Sequence, residues 1–153
     1  MKILFLDIDG VLNSTRSAVA FGGYPMNVEK PHMERFDHVA VALIKKICKD
    51  TGAKIVLSSV WRLYEGHMNM ANALHLPIID STPEKLTALR GEEIAMWLRD
   101  HPEVEKYVII DDDSDMLEDQ MPYFVQTSHL NGFLYQDYLK ALEILKPQQE
   151  KLK

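Results

Sequence analysis

Residues 3–13 read Ile3-Leu4-Phe5-Leu6-Asp7-Ile8-Asp9-Gly10-Val11-Leu12-Asn13. An apolar run ends in two aspartates one residue apart, and a glycine behind them lets the chain turn away. A short continuous apolar run bounded by such a turn is what a strand buried on both faces requires. Carboxylates at the end of that strand are costly to keep ionised without a partner, so their placement asks for a function. They attract a divalent cation, and the same arrangement can present one carboxylate as a nucleophile.

Outward from this stretch the chain alternates. Residues 2–8 form the first expected strand and Lys54–Leu57 a second apolar run. Between them Phe36, Val39, Ala40, Leu43, Ile44 and Ile47 recur at helical spacing, with Asp37 as N-cap and Gly52 as stop. A helix over Tyr64–Leu74, a strand at Leu76–Ile79 and a helix over Glu92–Arg99 follow. Strands at Tyr107–Ile110 and Tyr123–Gln126 come next, and a helix through Tyr138, Leu139, Leu142 and Leu145 closes the chain. Strands separated by helices imply right-handed parallel crossovers, hence a three-layer α/β sandwich with a mainly parallel sheet. Ligands of such sheets sit beyond the carboxyl ends of the strands, where Asp7, Ser58 and Asp111 each follow a strand directly.

The bulk numbers agree with one domain spanning residues 1–153. Hydrophobic residues are 46% and charged residues 26% of the chain, which excludes a disordered composition. A net charge of −6 argues against a broad basic surface for long nucleic acid. Cys48 has no second cysteine to pair with, which fits a reducing compartment, and its place on an apolar helix face reads as inert packing. No stretch approaches the roughly 18 apolar residues of a membrane span, and the N-terminal run lacks a signal-peptide cleavage site. The expectation is a cytoplasmic protein without a membrane partner.

Phosphoryl chemistry suits the strand-end residues. Asp7 can attack a phosphomonoester once the repulsion between two anions is relieved, and a magnesium ion bound by carboxylates and a carbonyl does this. Asp9 is placed to protonate the leaving oxygen and then activate water, while its carbonyl faces the metal. Ser58 offers a hydroxyl and an N–H to a phosphate oxygen, with Ser59 adjacent as its competitor. Arg62, in Ser58-Ser59-Val60-Trp61-Arg62, is a second candidate contact for phosphate or substrate; Trp61 is either a stacking surface or core. Arg90, before Gly91-Glu92-Glu93-Ile94, is the candidate cation for the transferring group, with Lys85 as competitor. The acidic run Asp111-Asp112-Asp113-Ser114-Asp115 supplies the remaining metal ligands: Asp111 directly, Asp112 or Asp115 through waters, with Asp113 facing solvent or capping a short helix.

These four stretches in order resemble the haloacid dehalogenase (HAD) superfamily of phosphohydrolases from end to end. Asp7 and Asp9 match its first motif, Ser58 its second, Arg90 its third and Asp111 with Asp112 its fourth. More narrowly, Phe5–Asn13, Ile55–Arg62, Arg90–Ile94 and Tyr107–Asp115 look like the HAD domains of RNA-repair proteins, and the tail from Val125-Gln126-Thr127 through Gly132 to Leu145 is similar too. That group is related to the 3′-phosphatase domain of phage polynucleotide kinases. The resemblance implies a magnesium-dependent phosphomonoesterase with an aspartyl-phosphate intermediate, acting on a nucleotide or a nucleic-acid 3′ end. The chain departs from that pattern at Ser58-Ser59-Val60-Trp61-Arg62, where the polynucleotide phosphatases carry a compact Ser-Gly-Arg.

Residues 14–35 are too few for a full cap domain and read as a flap over an otherwise open site. Asn13 and Arg16 are candidate substrate contacts there, Arg35 and Lys30 further positive charges, and Tyr24 and Phe21 stacking surfaces for a base. Three other functions compete. A small-metabolite phosphatase shares the same machinery. A phosphoacceptor domain is disfavoured, because it would carry its aspartate on a later strand. An idle scaffold of the same fold would not need every catalytic residue to be present.

Overall fold

The computed structural model describes residues 1–85 and 89–147. In chain order the helices are α1 (Thr15–Phe21), α2 (Lys30–Met33), α3 (His38–Thr51), α4 (Trp61–Tyr64), α5 (His67–Leu74), α6 (Arg90–Arg99) and α7 (Tyr135–Leu145). The strands are β1 (Lys2–Leu6), β2 (Lys54–Leu57), β3 (Ile78–Ser81), β4 (Lys106–Asp111) and β5 (Phe124–Gln126), with a 3-10 helix at Glu118–Tyr123 before the last. The five strands form one parallel sheet in the order β3-β2-β1-β4-β5.

The apolar strands are continuous because both faces of the sheet are covered. Leu4 and Leu6 point into a core shared with Ala40, Ile44 and Ile47 of α3 and Ala141 and Leu145 of α7. Ile3 and Phe5 point the other way, against Ile94 and Trp97 of α6. Phe5 meets the Trp97 ring edge-on at 5.5 Å between centroids, and burying one such side chain stabilises the fold by about 1.5–3 kcal/mol. The layers are therefore helix, parallel sheet, helix. Asp37 caps α3 by accepting the N–H groups of Val39 and Ala40, both at 3.1 Å.

β1 ends at Leu6 rather than at residue 8, β4 runs one residue further at each end, and β5 begins at Phe124 rather than Tyr123. Three more boundaries differ from the sequence reading. The helix expected over Tyr64–Leu74 is α5, which starts at His67; Tyr64 closes the separate turn α4, and Gly66 between them has a φ of +77° that no regular helix accommodates. β3 begins at Ile78 rather than Leu76; Pro77 has no N–H to offer, and its carbonyl accepts from Ile55 N at the start of the pairing. α6 starts at Arg90, two residues earlier than read, so the arginine itself opens the helix. Residues 14–35 contain α1 and α2, with Ser14 capping α1 by accepting the Ser17 N–H at 3.1 Å. Among the described residues no helix is long and apolar enough to cross a membrane.

Candidate active site

The backbone pairing of the sheet runs on past the strands and locks the site residues together. Asp7 N donates to Ile110 O at 3.0 Å, Ser58 N to Leu6 O at 3.0 Å and Thr127 N to Asp111 O at 2.9 Å. Behind Asp9 the chain reverses at Gly10, where φ is +80° and a Cβ would collide with the Asp112 carboxylate. The turn is held by Thr127 Oγ1, which donates to Gly10 O at 2.7 Å, and by Asn13 Oδ1, which accepts from Gly10 N at 3.3 Å.

Carboxylate oxygens of Asp7, Asp111 and Asp112 lie within 4.8 Å of one another at this edge. Arg90 Nη1 stands 3.5 Å from Asp7 Oδ1 and 3.4 Å from Asp111 Oδ2, so one guanidinium serves two buried acids. That is too little positive charge. Burial, then the neighbouring Asp111, holds the Asp7 carboxyl well above the usual carboxylate range despite Arg90. Asp111 is pushed up to about 6, chiefly by burial. Clustered, desolvated oxygen donors that resist ionisation form a set that a hard divalent cation fits, and such an ion favours their charged forms.

The Asp9 carboxylate is engaged outside that cluster. Its Oδ1 accepts from Asn13 Nδ2 at 3.0 Å and from Trp61 Nε1 at 3.1 Å. These two donors fix the carboxylate, and Oδ2 has no partner among the described residues. The Asp9 side chain is therefore not part of the cation set, and only its carbonyl is left for the ligand role expected of it. Of the two alternatives in the acidic run, Asp112 joins the cluster. Asp115 instead accepts the Arg90 N–H on Oδ2 at 3.1 Å, anchoring the start of α6. Asp113 is exposed, and its Oδ1 accepts the Ser114 N–H.

At the end of β2 the two serines differ. Ser59 Oγ accepts the Trp61 N–H at 3.2 Å and shapes the turn, whereas Ser58 Oγ is buried without a partner among the described residues. Arg62 departs from its expected place among the phosphate contacts. Its donors go to Thr82 O at 3.0 Å, Ser59 O at 2.8 Å and Glu93 Oε2 at 3.0 Å, which leaves the guanidinium committed to the protein. The same Glu93 carboxylate lies 3.8 Å from Arg90 Nε and accepts the Lys85 N–H. Lys85 is near the network through its backbone, while its side chain is exposed. Trp61 proves to be both core and contact: it packs against Phe36 and holds Asp9.

A cleft of about 440 Å³ opens beside Asp9, between the loop at Tyr24–Met26 and α4, with Asn13 in its lining. Arg16 and Phe21 do not reach it. α1 buries Ser17 and Ala18, and this sets Arg16 and Phe21 on a separate groove against Asp37, His38 and Val39. Lys30 is exposed on α2, along a third groove beside Phe36 and Leu74, and Arg35 lies against Gly23. Cys48 is buried and its thiol is pushed up to about 12, so it is inert.

Glu93 and Thr127 were not singled out by sequence. Glu93 looks like its neighbour Glu92, and only its three-residue spacing from Arg90 hints at the contact. Thr127 stands in the Val125-Gln126-Thr127 stretch that carries the resemblance, but nothing in that stretch points to its bond with the Gly10 carbonyl.

A parallel sheet whose first strand delivers Asp-x-Asp to an acidic edge held by one arginine defines a class, the HAD-type phosphohydrolases. Within it, the chain belongs to the family described as the HAD domain in Swiss Army Knife RNA repair proteins, whose model matches residues 3–138. That match runs from β1 into α7 and includes every strand-end residue described above, and it makes the chain a HAD-type phosphatase. No curated protein and no solved structure matches the chain.

Proposed function

We propose that the chain is a magnesium-dependent phosphomonoesterase acting on RNA or DNA ends that carry a 3′-phosphate. The observation that carries this reading is Arg90 Nη1 beside both Asp7 and Asp111, an acidic cluster with a fixed cation at the carboxyl edge of the sheet. Asp7, Asp111 and Asp112, with the Asp9 carbonyl, are the residues that would hold the ion. Bound there, magnesium supplies charge neutralisation between the attacking carboxylate and the phosphate oxygens.

Asp7 attacks phosphorus through a carboxylate oxygen, and the bond from phosphorus to the leaving alcohol breaks. Asp9 gives its proton to that alcohol oxygen. A water then attacks the aspartyl-phosphate, losing its proton to Asp9, and inorganic phosphate leaves as Asp7 is regenerated. Arg90 stabilises the charge on the transferring group, and Ser58 Oγ with nearby N–H groups takes one equatorial oxygen. Asn13 holds Asp9 for this work and borders the substrate cleft. Residues 14–35 serve as the flap of this single domain. Membership of an RNA-repair family supports the choice of nucleic-acid ends over small metabolites.

The test is a single-turnover reaction with an oligoribonucleotide labelled on its 3′-phosphate, quenched in acid. Label retained on the wild-type chain and absent from Asp7→Asn is the expected result. Rapid release of phosphate without any labelled protein overturns the covalent step. Turnover that persists in excess chelator removes the metal.

A further inference from the structure

We infer that the cleft beside Asp9 is the binding site for the nucleobase and ribose of the terminal nucleotide, and that it admits this nucleotide only unpaired. The inference rests on the reading of Asp9 as the acid that serves the leaving alcohol. Asp9 lines the cleft and Asp7 does not, so the space lies on the leaving-group side of the reaction. Whatever occupies it is bonded, through very few atoms, to the oxygen that Asp9 protonates.

The walls select the chemistry of the occupant. Tyr24, Pro25 and Met26 form one side, and Val60, Trp61 and Tyr64 the other. No lysine or arginine lines the cleft; His129 and Asn13 do, and the carboxylates of Asp9 and Asp112 there repel anions. A second anionic group inside the cleft is therefore disfavoured, which leaves the 5′ phosphodiester of an oligonucleotide end outside it. The polar part of the lining, Asn13 and His129 with the two carboxylates, offers hydrogen-bond partners to a ribose. A flat, uncharged ring suits these walls, because aromatic and thioether side chains stack on any base with little regard to sequence.

Size and exposure carry the argument to strandedness. About 440 Å³ is at the small end of ligand sites, which run to roughly 300–1,000 Å³, and it accommodates one nucleoside. A Watson–Crick pair would have to enter between two walls that are already in place: Trp61 is pinned by its bond to Asp9, and the opposite loop by Met26 N donating to His32 Nδ1 at 3.0 Å. Single-stranded ends are the form of RNA whose bases can be splayed onto aromatic side chains. Met26 and Tyr64, 74% and 81% exposed, are otherwise large apolar groups left in water.

Steady-state kinetics on three substrates test this: a single-stranded 3′-phosphorylated oligoribonucleotide, the same end in a blunt duplex, and propyl phosphate. The expected result is a kcat/KM at least tenfold higher for the unpaired end than for the duplex. Tyr64→Ala and Met26→Ala, both at exposed positions, should each lower kcat/KM for the unpaired end by roughly tenfold. Their loss on propyl phosphate should be several-fold smaller. Equal cleavage of paired and unpaired ends by the wild type overturns the inference, as does an equal loss on both substrates in the variants. A wild type that hydrolyses propyl phosphate but neither oligonucleotide overturns the nucleic-acid reading itself, and the inference falls with it.

Discussion

Arg62 Nη2 lies 3.0 Å from Glu93 Oε2, in an ion pair whose side chains are only 5% and 8% exposed. The pair ties the start of α4 to α6, the helix that carries Arg90. Removing one partner leaves a buried charge uncompensated, which typically costs about 3–5 kcal/mol. Arg62→Ala should show that loss in denaturant unfolding, and Arg62→Met with Glu93→Leu should recover much of it. A stable Arg62→Ala that has lost only phosphate affinity would return Arg62 to the substrate.

Asp7→Asn should reduce turnover at least a hundredfold while keeping the fold. Its stability should move the other way. Burial and Asp111 raise the folded pKa of Asp7 above its unfolded value, so its favourable contribution is present at low pH and lost as pH rises through the folded pKa. At pH 7, without metal, a carboxyl whose folded pKa lies above its unfolded one opposes folding, and an amide does not. Thermal melts in chelator at pH 7 should therefore place Asp7→Asn above the wild type; a lower Tm contradicts the sign.

Magnesium affinity should depend on pH near 6. Asp111, pushed up to about 6, must lose its proton before it ligates, so binding weakens as pH falls through that value. The expected slope approaches tenfold per pH unit for each proton displaced. Calorimetric titrations between pH 5 and 8 measure it, and a flat profile would take Asp111 out of the metal site.

Arg90→Ala should cost on the order of a hundredfold in kcat, as the loss of a fixed electrostatic stabiliser does. Lys85→Ala should change little, because Lys85 reaches the network through its backbone N–H alone. Parallel assays on a small phosphomonoester decide between them.

Ser58→Ala removes a buried hydroxyl that bonds to nothing described in the protein, so Tm should stay level or rise while kcat/KM falls. Ser59→Ala breaks the bond to Trp61 N, and its effect should show first in stability, by about 0.5–2 kcal/mol as for a lost helix cap. The reverse pattern would exchange the roles of the two serines.

The sheet was legible because burial on both faces writes a strand as an unbroken apolar run, as in Ile3–Leu6 and Val108–Ile110. β3 was read two residues early because Leu76 is buried and apolar without pairing as a strand, while the polar Asp80 and Ser81 do pair. Strand ends located Asp7, Ser58 and Asp111. Which charges pair with which lay outside the pattern: Arg62 reads as a free cation until the fold brings Glu93 to it across 31 residues. Arg16 and Tyr24 likewise look equivalent in one short segment, and only the α1 geometry sends them to different grooves.

The strand order has a consequence for how activity arises during folding. β1 is flanked by β2 and β4, whose partners for Leu6 are Leu57 and Ile110, about fifty and a hundred residues away in the chain. Asp7 therefore does not have both Ser58 and Asp111 beside it until both long loops have closed, and loop closure of this kind slows folding. Gly10 waits still longer for its tether, since Thr127 follows the last strand. A ribosome-bound chain that has emitted only its first hundred residues holds the nucleophile without the means to use it, so phosphatase activity should switch on late, as a single step, when β4 and β5 dock.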